Sequence, residues 1–270
     1  ADSPVVPTSP LQRAACFILE DVFNHWLGRV CVHTRWCYPD NVEWIGPRFG
    51  ANTVLGRSIE DPFTEQELEQ LRPICQMMYE GFGKNVCEYN GVGPDQSEPV
   101  RSDYNSMLNA LATHFARNDF LLGDRPCLAD FALAGAAKAH FITDPVPLDW
   151  LGEHRKMMVA YCDRLFTDDQ EFIQAQWPDD DAVPETLGEI IEYARNTYFE
   201  FARANIKAGL DGEKYYAYDY GYGPTRARTQ RRLNLARLHV QDELQALEAA
   251  SADTVQAFFG GTGTLAHYMG

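Results

Sequence analysis

The densest chemistry in this sequence lies in the short run His33-Thr34-Arg35-Trp36-Cys37-Tyr38-Pro39. A thiolate is a good nucleophile, and Cys37 has an imidazole four residues before it and an indole beside it, so a catalytic cysteine is one reading. The plainer one is a small apolar filler. Cys31, His33 and Cys37 could also be taken as metal ligands, but no second Cys or His pair follows at zinc-site spacing, so no metal is expected. Trp36 could belong to a core and Arg35 could pair with one of many carboxylates. Elsewhere the nucleophile and metalloprotease signatures are missing: there is no G-x-S-x-G and no H-E-x-x-H.

The elements that would position this run are helical. Leu11, Ala14, Ala15, Ile18, Leu19, Val22, Phe23, Trp26, Leu27 and Val30 recur at three- and four-residue steps, which predicts a long amphipathic helix ending near His33. Residues 1 to 10 carry three prolines and read as an extended lead-in. Thr64 with Glu67 forms a T-x-x-E capping box, and Pro73 predicts a kink or break in the helix it opens. The glycines of Gly91-Val92-Gly93-Pro94 read as a turn, and Ser102 reads as the cap of the helix carrying Tyr104, Met107, Leu108, Leu111 and Phe115.

Residues 120 to 141, FLLGDRPCLADFALAGAAKAHF, combine a turn, a helix start and an apolar helix. Asp130 lies three residues after Cys127, the spacing at which a carboxylate reaches back to the N-cap N–H. Cys127 is itself a poor acceptor in the N-cap position. The following helix is apolar nearly all round, which predicts burial on most sides.

Asp144-Pro145-Val146-Pro147 should end that helix, and Trp150 to Leu165 should form another. Asp179, Asp180 and Asp181 read as a loop with N-capping charge. Pro184-Glu185-Thr186 opens a helix with an apolar stripe from Leu187 to Ala202. Tyr216, Tyr218, Tyr220 and Tyr222 alternate as on one face of a strand or extended loop; packing or an interface is the default and ring stacking on a ligand the alternative. Arg226, Arg228, Arg231, Arg232 and Arg237 form a basic patch expected to pair with acids of the same chain.

Asp130 and its surroundings carry a family likeness. Gly123-Asp124-Arg125-Pro126-Cys127-Leu128-Ala129-Asp130-Phe131 resembles the G-x-x-[ST]-x-x-D capping box and staple of the helical C-terminal domain of cytosolic glutathione transferases. Phe120-Leu121-Leu122, the segment His140 to Pro145, and the run LEDVFNHWLGRVCVHTRW are similar to bacterial members. The likeness covers roughly residues 5 to 166, with Cys127 standing where the family has Ser or Thr. It implies an all-α helical bundle: a core over 11 to 178 and a helical extension over 179 to 270, with about seven or eight helices in all. Residues 1 to 10 would then correspond to the linker after a thioredoxin-like domain that this sequence does not include.

That missing domain would bind and activate glutathione. The resemblance therefore implies a glutathione-transferase-like protein whose helical domain offers an apolar acceptor pocket, lined by Arg35, Trp36 and Tyr38, for a small apolar or aromatic molecule. Glutathione would be a cofactor only alongside a thioredoxin-like unit, and a homodimer or a separate partner of that kind is implied. The alternatives are a non-catalytic helical module for ligand binding or assembly, and an enzyme of other chemistry using His33, Arg35 and Tyr38 directly.

Charge narrows the partners. Lys and Arg number 23 against 39 Asp and Glu, a formal net charge of −16, which opposes binding to nucleic acid or to an anionic membrane. Seven scattered cysteines without a C-x-x-C pair fit a reducing cytoplasm, and no apolar run is long enough to span a bilayer.

Overall fold

The computed structural model describes residues 4–59, 61–167, 175–221 and 223–270, and it is helical apart from one hairpin. Its axis is α1, Pro10–Trp36, a 27-residue helix whose apolar stripe is buried from Leu11 to Trp36. Pro10 suits the first turn because no intrahelical partner awaits its missing N–H. Ser9 makes no side-chain cap bond. Asp181 does the capping from a distance, accepting from the Leu11 N–H at 2.9 Å and the Gln12 N–H at 3.1 Å. The acidic loop therefore has the capping role its charge suggested, and Asp181 holds a left-handed backbone, φ 57°, to do so.

After α1 come α2 (Pro39–Gly50), widened into a π-type turn at Ala51–Leu55, and α3 (Glu65–Met78), which opens on the Thr64–Glu67 capping box. Pro73 does not break α3. Its exposed position lets the helix run on to Met78, and the irregularity falls later, in the π-type turn Tyr79–Gly83 that leads to α4 (Lys84–Asn90). α5 spans Ser97–Phe115 and begins five residues before Ser102, because a 3₁₀ turn at Pro94–Gln96 starts the helix and Pro99 sits in its first turn, where proline is tolerated.

α6, Leu128–Ala136, continues as a π-type turn through Phe141 and is the principal neighbour of α1. Asp130 is its anchor. One carboxylate oxygen accepts the Cys127 N–H at 2.8 Å, and the other accepts the Leu121 N–H and the Tyr161 hydroxyl, both at 3.0 Å. The helix is not buried all round: Phe131, 41% exposed, and Gly135 and Lys138 face solvent. Its alanines and glycine look apolar in sequence but demand little burial.

α7 (Pro145–Trp150) and α8 (Arg155–Leu165) replace the single helix expected there, separated by a 3₁₀ turn at Gly152–His154 where Gly152 takes φ 50°. α9 (Leu187–Asn196) and α10 (Tyr198–Leu210) are likewise divided, at Thr197, whose hydroxyl donates to the Tyr193 carbonyl at 2.7 Å. The chain closes with α11 (Arg231–Gln245), α12 (Ala249–Phe259) and α13 (Thr264–Met269). These breaks raise the count to thirteen helices among the described residues.

β1 (Tyr215–Asp219) pairs antiparallel with β2 (Pro224–Arg228), Tyr216 opposite Ala227 and Tyr218 opposite Thr225. Tyr216, Tyr218 and Tyr220 point inward and are buried against Phe201 and Arg29, so they pack and present no ring to a ligand; Tyr222 lies outside the described residues. The arginine patch does not find acids. Among the described residues, Arg226 lies over Tyr215, Arg228 over Tyr89, and Arg237 donates to the Tyr268 carbonyl, while none of the five forms an ion pair.

Two predictions follow from these anchors. Asp181→Ala should lower stability by about 1–2 kcal/mol in urea unfolding, since it removes both cap bonds. Burial pushes Asp130 up to about 6, outweighing its hydrogen bonds. A carboxyl raised in the folded state contributes most below its unfolded value and loses that contribution as pH rises through 6. The stability of the wild type relative to Asp130→Asn should therefore fall between about pH 4 and pH 7; a rise over that interval would show that the hydrogen bonds dominate.

Candidate functional site

The C-terminal end of α1, the last turn of α4 and the start of β2 enclose a cavity of about 640 Å³. Trp36, Cys37 and Cys87 line it together with Tyr79, Pro94, Pro224 and Thr225, and Lys84, Glu88, Asp95 and Arg226 add charges of both signs. A pocket of this size with apolar walls and a few polar groups suits a small organic molecule.

Local sequence explains the construction. The Trp36 indole lies flat on Gly83, where an added Cβ would come within 2.6 Å of the ring, and it stacks on Phe49 with centroids 5.7 Å apart. Gly91 ends α4 with φ 66° and lies against β2, where a Cβ would meet the Arg226 carbonyl at 2.7 Å. Only glycine satisfies both demands. The Thr225 hydroxyl donates to the Gly91 carbonyl at 2.7 Å and ties the hairpin to this turn.

Cys37 is the C-cap of α1, half-buried, and Cys87 is buried in α4; their sulfurs are 3.7 Å apart. Behind them His33 is fully buried, its Nδ1 2.8 Å from the Val92 carbonyl, which is also 3.5 Å from the Cys37 sulfur. The negative end of the α1 dipole disfavours a thiolate at Cys37, so its acidity comes from neighbours. The contact with the Cys87 sulfur pulls Cys37 down; burial opposes this, His33 adds to it and Asp95 works against it, leaving Cys37 at about 5. The same contact, with burial, pushes Cys87 up.

The residues singled out in sequence thus separate. Trp36 lines the cavity, and His33 supports it from behind without lining it. Arg35 turns away to a bidentate pair with Asp144, both bonds 2.8 Å, and donates to the Ala139 carbonyl. Tyr38 sits edge-on to His33 and Trp150 at 5.5 and 5.6 Å. Cys31 is buried toward Tyr104 and Asp144, its thiol pushed up to about 12 by burial, so it does not join His33 and Cys37 in one cluster. Cys87 and Tyr79 carry no local pattern that marks them, and Arg226, part of the basic patch, was expected to pair with acids and not to line a cavity.

Cys37 should be alkylated by iodoacetamide at a rate already level by about pH 7, because its thiolate is fully formed above its lowered value. Cys75, pushed up by burial, serves as the in-chain reference. Cys87→Ala removes the polar contact to Cys37 and should slow Cys37 alkylation about tenfold at pH 6, whereas Cys87→Ser keeps a polar neighbour and should slow it less. Peptide mass mapping over time reads both.

Residues 95–169, which comprise α5 through α8 and the Asp130 anchor, match the family model for the glutathione S-transferase C-terminal domain. No curated protein and no solved structure matches the chain. The helical architecture agrees with that domain, and no described helix is long and apolar enough to cross a membrane. Residues 95–169 are therefore similar to the helical C-terminal domain of glutathione S-transferases.

Proposed function

We propose that this is a glutathione-transferase-like protein whose helical domain receives the acceptor molecule in the cavity beside Trp36. The observation that carries the reading is the placement of that cavity, walled by indole, phenol and proline rings at the end of the longest helix. In this reading residues 11–178 form the transferase-like core and residues 179–270 an extension that contributes one wall through Pro224, Thr225 and Arg226. A thioredoxin-like unit outside these residues, on a partner chain or within a homodimer, supplies activated glutathione. The seven cysteines, all free, fit a reducing cytoplasm.

A small planar electrophile, a chlorinated nitrobenzene, tests it. Titrated into the protein, it should quench tryptophan fluorescence saturably, and Tyr79→Ala should weaken binding by about tenfold through loss of one aromatic wall. Quenching that never saturates, or that ignores Tyr79, would remove the acceptor reading.

A further inference from the structure

The two sulfurs at the cavity floor support chemistry that does not depend on the acceptor reading. Cys37 belongs to the end of α1 and Cys87 to α4, 50 residues apart in sequence, yet their sulfurs are in contact at 3.7 Å. The Cys37 side lines an open cavity and is half-buried, while Cys87 is 3% exposed. A half-buried thiol on the cavity wall, beside a second that lines the same cavity but is only 3% exposed, suits an attacking and a resolving cysteine. To link, the sulfurs must close from 3.7 Å to about 2.05 Å.

From this juxtaposition we infer that Cys37 and Cys87 form a dithiol that exchanges with a low-molecular-weight disulfide bound in the cavity. Cys37 loses its proton to solvent, and its thiolate attacks one sulfur of the disulfide. A Cys37 mixed disulfide forms and the first small thiolate leaves. Cys87 then attacks the Cys37 sulfur, the protein disulfide closes, and the second small thiolate departs with the Cys87 proton. The two protein thiols are oxidised by two electrons, and the small disulfide is reduced to two thiols. The lowered pKa of Cys37 supports the order of attack, since the thiolate is the reacting species. The cavity lining includes Lys84 and Arg226 as well as Glu88 and Asp95, charges of both signs that suit a disulfide of the amino-acid type, which carries both.

The reaction of the reduced protein with dithiobis(nitrobenzoate) decides it. Tryptic mapping of the wild type should recover a Cys37–Cys87 linked peptide with no nitrobenzoate retained on either residue. Cys87→Ser should instead trap a stable nitrobenzoate adduct on Cys37, and Cys37→Ser should leave Cys87 unmodified while Cys75 still reacts. A persistent Cys37 adduct in the wild type, or Cys75 modified while Cys37 stays free, overturns the inference. The wild-type map alone suffices should either variant fail to fold. Acceptor binding is read separately by fluorescence, so one proposal can fail without the other.

Discussion

A permanently charged guanidinium with almost no exposure sits midway along α1, and much of the molecule is arranged around its cost. Arg29 is 1% exposed. Desolvating such an ion costs several kcal/mol unless other groups replace water. The replacements are a carboxylate, a backbone carbonyl and four aromatic rings. The Asp103 carboxylate of α5 lies 4.0 Å away, the Asn90 carbonyl at the end of α4 accepts from Nε at 3.4 Å, and the rings of Trp26, Tyr220, Tyr218 and Phe201 surround the carbon at 4.1 to 5.7 Å. Burial acts to lower its pKa, and Tyr218, Tyr220 and Asp103 more than compensate, so the charge is kept. The inward tyrosines of the hairpin thus have an electrostatic use as well as a packing one.

The same set of contacts fixes the cavity. Asn90 is the last residue of α4, and its side chain is also reached by Gln230 at 3.4 Å, so the end of α4 is held by α1 and by the segment before α11. The turn Gly91–Gly93 follows at once and presents the Val92 carbonyl to both His33 and Cys37. Cys87 lies one turn earlier on α4, which is why it faces the end of α1. The dithiol is therefore placed by a neighbouring buried charge and by a glycine that lets β2 approach, without any special sequence around either cysteine.

That dependence sets what was legible in the chain. The α1 stripe, the Thr64–Glu67 box and the Asp130 return bond were readable because each rests on short-range spacing, whereas the choice of α1, 170 residues away, as the helix the acidic loop caps was not. Trp36 was singled out for its position at the end of α1, and it does line the cavity; Arg35 and Tyr38 share that position but point to Asp144 and Trp150, since successive helix residues face different sides. Cys87 and Arg226 reach the site only through tertiary contacts, which local periodicity does not encode. The arginine patch misled because its partners are rings and a carbonyl, and proximity in sequence to no particular acid gave no hint of that.

Two sulfur pairs in this fold differ in burial. Cys127, at the N-cap of α6 where the family carries a hydroxyl, meets Cys16 of α1, and the contact pulls Cys16 down just as Cys87 does for Cys37. Both members of that inner pair are fully enclosed. Neither side chain has any exposure, so the sulfurs there serve packing between α1 and α6: a thiol is bulkier and more polarizable than a hydroxyl, and it fills the interface while the Cys127 N–H is satisfied by Asp130. At the other end of α1 the same chemistry borders an open cavity. What separates a reactive thiol from a structural one in this molecule is therefore access, and access is set by where α1 emerges from its neighbours.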